Sequence, residues 1–242
     1  MKKMRRISDR YMLSVIVPTY NERDNIVELI ERIEATLKEI KFEVIVVDDG
    51  SPDGTADVAK ELNEIYGNVK VHVRSGKMGL ASAIMEGIGL SSSEIVAVID
   101  ADLQHPPETL REMYNRLMEG YDLVVASRYI KSAGIEGWGA WRRIISRGAT
   151  ATAHLLLPET RKVKDVMSGY FMLRKSILSG VKVNSKGYKI LLEILVKGNY
   201  KSVAEVPYIF KPRIRGKSKM DLNEMLNFLC LLFNLRFRTV ET

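Results

Sequence analysis

Glu94-Ile-Val-Ala-Val-Ile-Asp-Ala-Asp-Leu-Gln-His105 runs from an unbroken apolar segment straight into a pair of aspartates, Asp100 and Asp102. A short apolar run bounded by polar and turn-forming residues predicts a buried strand, and the two carboxylates stand at its carboxyl end. The pattern occurs twice upstream. Leu13-Ser-Val-Ile-Val-Pro18 leads to Tyr20 and Glu22, and Phe42-Glu-Val-Ile-Val-Val47 leads to Asp48, Asp49 and the turn formers Gly50-Ser-Pro-Asp-Gly54. Between them, residues 24–40 carry apolar side chains at 26, 29, 30, 33, 37 and 40, one face of a helix. Further helices are predicted at 57–66, 80–90 and 107–118, with extended runs at 69–73 and 122–127. Strands alternating with helices imply crossover units, and so an α/β fold with a mainly parallel central sheet and helices on both faces. Ligands bind such sheets at the carboxyl ends of the strands. Tyr20, Asp48, Asp49, Asp100 and Asp102 all fall there, which places the active crevice.

The second half reads differently. Residues 138–157 predict a helix mixing Trp138, Trp141, Ile144 and Ile145 with Arg142, Arg143 and Arg147. Extended segments at 169–173 and 203–210 and a helix at 188–196 follow, then the basic run Lys211-Pro-Arg-Ile-Arg-Gly-Lys-Ser-Lys219. A final amphipathic helix is predicted over 220–237. No clear linker cuts the chain, which is read as a basic N-terminal segment (1–11), one main domain (12–219) and a C-terminal amphipathic helix and tail (220–242).

Charge follows the same division. Residues 1–121 hold 15 Lys+Arg against 21 Asp+Glu, a net of −6, whereas residues 122–242 hold 22 against 9, a net of +13. An acidic half followed by a basic one suggests a metal or neutral-ligand region joined to an anion-handling region. A single cysteine, Cys230, excludes an intramolecular disulfide framework and a cysteine-based zinc site. No secretory leader is expected, because no apolar run follows the basic residues 1–6 before Asp9. The apolar stretch 225–235 falls short of the roughly 20 residues that a bilayer span needs. A soluble or membrane-peripheral protein is the expectation.

Two carboxylates at i and i+2 lie on one face of an extended segment and can share a hard divalent cation with diphosphate oxygens, and Gln104 offers a third oxygen. An isolated Asp-x-Asp is more often a solvated turn. Here Asp48 and Asp49 converge on the same sheet edge, and four carboxylates without a cation or hydrogen-bond donors would repel one another. A site is favoured.

Val15-Ile-Val-Pro-Thr-Tyr-Asn-Glu22, Val46-Val-Asp-Asp-Gly-Ser-Pro-Asp-Gly54 and Asp100-Ala-Asp-Leu-Gln-His-Pro-Pro-Glu108 together resemble the inverting glycosyltransferases of family 2, with a Rossmann-like GT-A fold. Ser127-Arg-Tyr129, Asp165-Val-Met-Ser-Gly-Tyr170 and Phe210-Lys-Pro-Arg-Ile-Arg-Gly-Lys-Ser-Lys219 narrow the resemblance to the subgroup that makes dolichol-phosphate mannose. The resemblance spans roughly residues 12–235. It implies that Pro18, Tyr20 and Glu22 contact the nucleotide, that Val47 and Asp49 frame base and ribose, and that Lys77 approaches the nucleotide sugar. Asp100, Ala101, Asp102 and Gln104 are implied to hold the diphosphate through Mg²⁺ or Mn²⁺, with Asp100, Asp102 and Gln104 as the metal ligands. Arg128, Arg213 and Lys219 are implied to meet the donor diphosphate or acceptor phosphate, and Arg142 with Ser146 the acceptor phosphate. Asp102, Arg128, Arg213 and Lys219 form the expected catalytic set.

The implied reaction moves mannose from GDP-mannose to dolichyl (polyprenyl) phosphate with inversion. The nearest alternative keeps the acceptor and changes the donor, for example to UDP-glucose; the next is a polysaccharide or protein glycosyltransferase. A neutral sugar acceptor needs no cationic cradle and usually needs a general base, whereas a lipid phosphate is already largely ionised at neutral pH. Lys211, Arg213, Arg215, Lys217 and Lys219 alternate, so an extended chain puts all five on one face, and Gly216 favours a loop able to close over the donor. Residues 138–157 suit a helix lying in a membrane interface. Residues 226–235 are apolar enough to dock on the sheet, lie in that interface or bind a small membrane-anchoring subunit. The expected location is peripheral, on the cytoplasmic face of a membrane. No nucleic-acid motif is present and the basic residues adjoin the crevice, so nucleic acid is not an expected partner.

Overall fold

The structure, a computed structural model, describes residues 11–183, 189–213 and 222–237. Its first half is β1 (Leu13–Thr19), α1 (Arg23–Leu37), β2 (Phe42–Asp48), α2 (Thr55–Tyr66), β3 (Val69–Val73), α3 (Leu80–Leu90), β4 (Ile95–Val98), α4 (Thr109–Met118) and β5 (Leu123–Ser127). There follow β6 (Gly134–Ile135), α5 (Ala140–Leu156), β7 (Phe171–Arg174), α6 (Ile190–Lys197), β8 (Val203–Pro207), β9 (Ile209–Phe210) and α7 (Leu222–Phe237). Seven strands form one sheet in the order β3-β2-β1-β4-β7-β5-β8. Every pairing in it is parallel except those of β7, which runs antiparallel between β4 and β5.

Alternation along each strand builds the two layers. Val15, Val17, Val44 and Val46 belong to the layer of α1, α2 and α4, while Ile16, Ile45 and Val47 belong to the layer of α3, α5, α6 and α7 and pack on α3. Burying a Val or Ile contributes about 1.5–3 kcal/mol, more than the roughly 1 kcal/mol that separates residues in strand propensity. The two-faced core, rather than local preference, therefore fixes these strands. α3 lies close on its layer: a Cβ on Gly87 would stand 2.5 Å from Ile16 Cγ2 and 3.1 Å from Val47 Cγ2. Glycine lets the helix that borders the crevice press against β1 and β2.

Some expectations change. The extended run 203–210 divides at Tyr208, whose ring turns inward to meet His105 and Tyr170. Pro207, with no N–H to donate, ends β8, and β9 pairs instead with β6 in a small second sheet. The helix expected from 138 begins at Ala140, and Trp138 packs on the core ahead of it.

Candidate active site

β1, β2 and β4 end together, and their carboxyl ends open into a cleft of about 340 Å³. Pro18, Tyr20, Glu22, Asp49, Lys77, Asp100, Ala101, Asp102 and Arg213 line it, joined by Gly79, Leu80 and Ala83 at the start of α3. Nine of the residues singled out in the sequence thus meet in one place, although the chain separates the first from the last by almost two hundred positions. Asp48 is turned away. It accepts hydrogen bonds from Thr19 Oγ1 (2.9 Å), Ser51 Oγ (2.6 Å) and Ser51 N (2.8 Å), which lock the turn after β2.

The acidic floor is shaped by a tight turn. Asp102 Oδ1 accepts the Gln104 N–H at 3.1 Å, and Leu103 adopts φ +60°. A left-handed non-glycine residue costs about 1–2 kcal/mol; burial of the Leu103 side chain in the core offsets it. Burial pushes Asp100 up to about 6 in spite of Arg213 and Lys189. Asp102 is also raised, by burial and then by the Asp100 charge, and Glu22 by burial and then, among charges, by Asp102. Beneath them, His105 is pressed down to about 4 by burial. The Asp100 backbone N–H points at its Nδ1 from 3.4 Å, and Tyr170 stacks on its ring. It is a neutral strut. The crevice therefore holds carboxylates that are short of positive charge, the condition under which a divalent cation is welcome. Asp100 and Asp102 are the residues that could hold one. Among the described residues no set of three or more His, Cys, Asp or Glu is arranged for a metal, so such an ion would draw its other ligands from substrate and water.

Arg213 supplies part of the missing charge. Its Nε donates to Asp102 Oδ2 at 2.9 Å and to Gln104 Oε1 at 3.2 Å. Gln104 Nε2 in turn donates to the Lys211 carbonyl at 3.0 Å, and the Lys211 N–H to the Gln104 carbonyl at 3.2 Å. In this arrangement the Gln104 amide, expected to join the metal ligands, clips the 211–213 segment over the acidic turn. At the other lip, Lys77 Nζ lies 4.6 Å above the Tyr20 ring.

Four further expected site residues have side chains engaged outside the cleft lining. The side chain of Val47, expected to help frame the base, is buried in the core layer of α3. Arg128 does not reach the cleft with its charge free. Its Nε and Nη2 each donate to Asp165 at 2.7 Å, its backbone N–H to the same carboxylate at 2.9 Å, and Tyr129, Trp138 and Phe210 surround the guanidinium. Arg142 lies 4.2 Å over Trp138, and Ser146 Oγ is 2.7 Å from Tyr129 Oη, so both belong to this neighbouring aromatic cluster. Lys219 lies outside the described residues. Sequence reasoning missed Arg74, which is buried behind the cleft wall between Asp49 and Glu86. Its charge partners stand 25 and 12 positions away, so no local pattern announces it.

The family model for glycosyl transferase family 2 matches residues 14–181. The chain belongs to that family. This glycosyltransferase is similar to the dolichol-phosphate mannosyltransferase of Pyrococcus furiosus, with 44% identity over 223 residues, 92% of this chain. It spans 63% of that relative's length. The dolichol-phosphate mannosyltransferase of Saccharomyces cerevisiae is 35% identical over 228 residues, which cover 89% of this chain and 84% of the relative. Among solved structures, glucosyl-3-phosphoglycerate synthase from Mycobacterium tuberculosis with Mn²⁺, UDP and phosphoglyceric acid superposes with a TM-score of 0.72 at 20% identity, covering 97% of this chain and 81% of that one. The same enzyme with Mg²⁺ and UDP gives a TM-score of 0.71. The family 2 glycosyltransferase described here thus has a GT-A-like fold, as the sequence alternation implied.

Proposed function

We propose that this glycosyltransferase moves mannose from GDP-mannose to a dolichyl or other polyprenyl phosphate, inverting the anomeric centre. The observation that carries the reading is the cleft itself: under-neutralised Asp100 and Asp102 face Arg213 at the strand ends, beside an arginine-bearing helix with an apolar outer face. That helix, α5, exposes Trp141, Ile144 and Leu155, and it touches α7, which exposes Leu229, Phe233 and Phe237. Arg142, Arg143 and Arg147 share α5 with those apolar residues, the composition of a helix that rests in a membrane interface. Among the described residues no helix is long and apolar enough to cross a membrane. The acceptor phosphate would be met at that surface, and the similarity to two dolichol-phosphate mannosyltransferases supports the donor and acceptor.

The donor's nucleoside enters between Tyr20 and the start of α3, with its diphosphate toward Asp100 and Asp102. A bound Mg²⁺ or Mn²⁺ would supply the positive charge that lets diphosphate and carboxylates share the site. Arg213, and Lys219 six positions further on, neutralise charge that grows on the leaving diphosphate. An acceptor phosphate oxygen forms a bond to the anomeric carbon while the bond to the diphosphate breaks, and the nucleoside diphosphate leaves with the electron pair. No proton need move, because the second phosphate pKa is near 6 and the nucleophile is already ionised. A general base is accordingly left out.

The test is transfer of radiolabelled mannose from GDP-mannose into organic-extractable lipid, with dolichyl phosphate and either Mg²⁺, Mn²⁺ or EDTA. Product with metal and none with EDTA is the expected result. Product from UDP-glucose alone would keep the chemistry and overturn the donor, while silence with every donor in lipid would overturn the acceptor.

A further inference from the structure

Behind the wall of the cleft a single guanidinium joins three elements. Arg74 follows β3, and its side chain is only 2% exposed. Its Nη1 meets Asp49 Oδ1 and lies 3.4 Å from the Gly79 carbonyl, its Nη2 donates to Ser82 Oγ at 2.6 Å, and its Nε stands 3.0 Å from Glu86 Oε2, an ion pair without hydrogen-bond alignment. Gly79 and Ser82 begin α3, and Glu86 is one turn further along it. The backbone N–H of Arg74 also holds the Asp48 carbonyl at 2.8 Å. The head group thus ties the Asp49 carboxylate to the start of α3, while the Arg74 backbone ties the end of β3 to that of β2. Glu86 is fixed from its other side, where Oε1 stands 2.6 Å from His72 Nε2. His72 and Arg74 are two positions apart, on the same side of the β3 strand line.

The consequence for Asp49 is specific. One of its oxygens faces Arg74, and the other receives only a long Gly79 N–H contact at 3.4 Å. Asp49 lines the cleft, and its second oxygen keeps acceptor capacity for a ligand. We propose that Glu86 is a positioning residue for nucleotide recognition: by holding Arg74, it fixes Asp49 so that one carboxylate oxygen accepts an N–H or O–H from the nucleoside part of the donor. This rests on the nucleotide-donor reading above and adds a residue that does not itself line the cleft. Its effect falls on the nucleoside end, because Arg74 touches Asp49 and the start of α3, whereas the diphosphate end is assigned to Asp100, Asp102 and Arg213.

Calorimetric titration of the whole chain with GDP or UDP, whichever binds more tightly, and separately with inorganic pyrophosphate, each with Mn²⁺, reads the two halves of the donor apart. Glu86→Gln keeps the shape of a half-exposed side chain and removes its charge. It is expected to weaken the nucleoside diphosphate about tenfold, the scale of one lost buried charge contact, and to leave pyrophosphate unchanged. In sugar transfer it should raise the donor KM by the same factor at constant kcat. Arg74→Lys, which cannot form the fork, should lose more in the same direction. Equal weakening of both ligands, or an unchanged nucleotide affinity, would overturn the positioning role. Wild-type protein that binds the nucleotide no better than pyrophosphate would overturn the nucleotide-donor reading instead.

Discussion

The acidic cleft and the arginine–aromatic cluster lie on neighbouring parts of the same sheet edge, yet their charges are treated in opposite ways. In the cleft Asp100, Asp102 and Glu22 are all raised by burial, and Arg213 bonds directly to Asp102. In the cluster Arg128 is raised by its partner Asp165 against burial, and the two make a forked pair at 2.7 Å. His105, Phe210 and Trp138 bridge the regions through ring contacts at 5.8 and 5.4 Å. The contrast separates binding from bracing. Charge left unbalanced by the protein marks where something from outside is to be held, whereas charge fully matched inside the protein holds the walls apart.

Removing one member from each region should expose that difference. Asp102→Ala is expected to lower sugar transfer about a thousandfold, the scale for losing a metal or transition-state charge contact, with little change in the melting temperature. Asp165→Ala should do the reverse. It leaves Arg128 buried and unpaired, and is expected to destabilise the fold by roughly 3–5 kcal/mol in chemical denaturation. A thousandfold loss of transfer by Asp165→Ala at unchanged stability would show that the pair is part of the chemistry after all.

A smaller effect sharpens the same contrast through pH. Asp100 rises from the usual 3.8 to about 6 in the folded protein, so the fold carries an extra proton between those values. The stability that this contributes is present below about pH 4 and lost as pH rises through 6. His105 acts with the opposite sign, because it stays neutral in the fold down to about 4, and stability is lost as pH falls from 6.5. The two partly cancel in the wild type. In EDTA, Asp100→Asn should therefore gain stability relative to wild type as pH is raised from 4 to 7. A difference that stays flat over that range would contradict an unbalanced Asp100.

The sequence made the cleft legible because its parts are local. An apolar run ending in Asp-x-Asp needs only one strand to place two carboxylates, and three such runs in one α/β pattern place three strand ends on one edge. Partnerships across the fold were not legible. Arg128 and Asp165 are 37 positions apart, so the resemblance could nominate the arginine for phosphate without revealing that a carboxylate already holds it. The antiparallel β7 was equally hidden, since a four-residue apolar strand carries no mark of its direction.

Mn²⁺ binding, measured with and without GDP on wild type and Asp102→Ala, bears most directly on the central claim. If the unbalanced carboxylates hold a cation shared with a diphosphate, GDP will tighten Mn²⁺ at least tenfold in the wild type, and Asp102→Ala will abolish that gain. The same Mn²⁺ affinity in both proteins, unaffected by GDP, would contradict it.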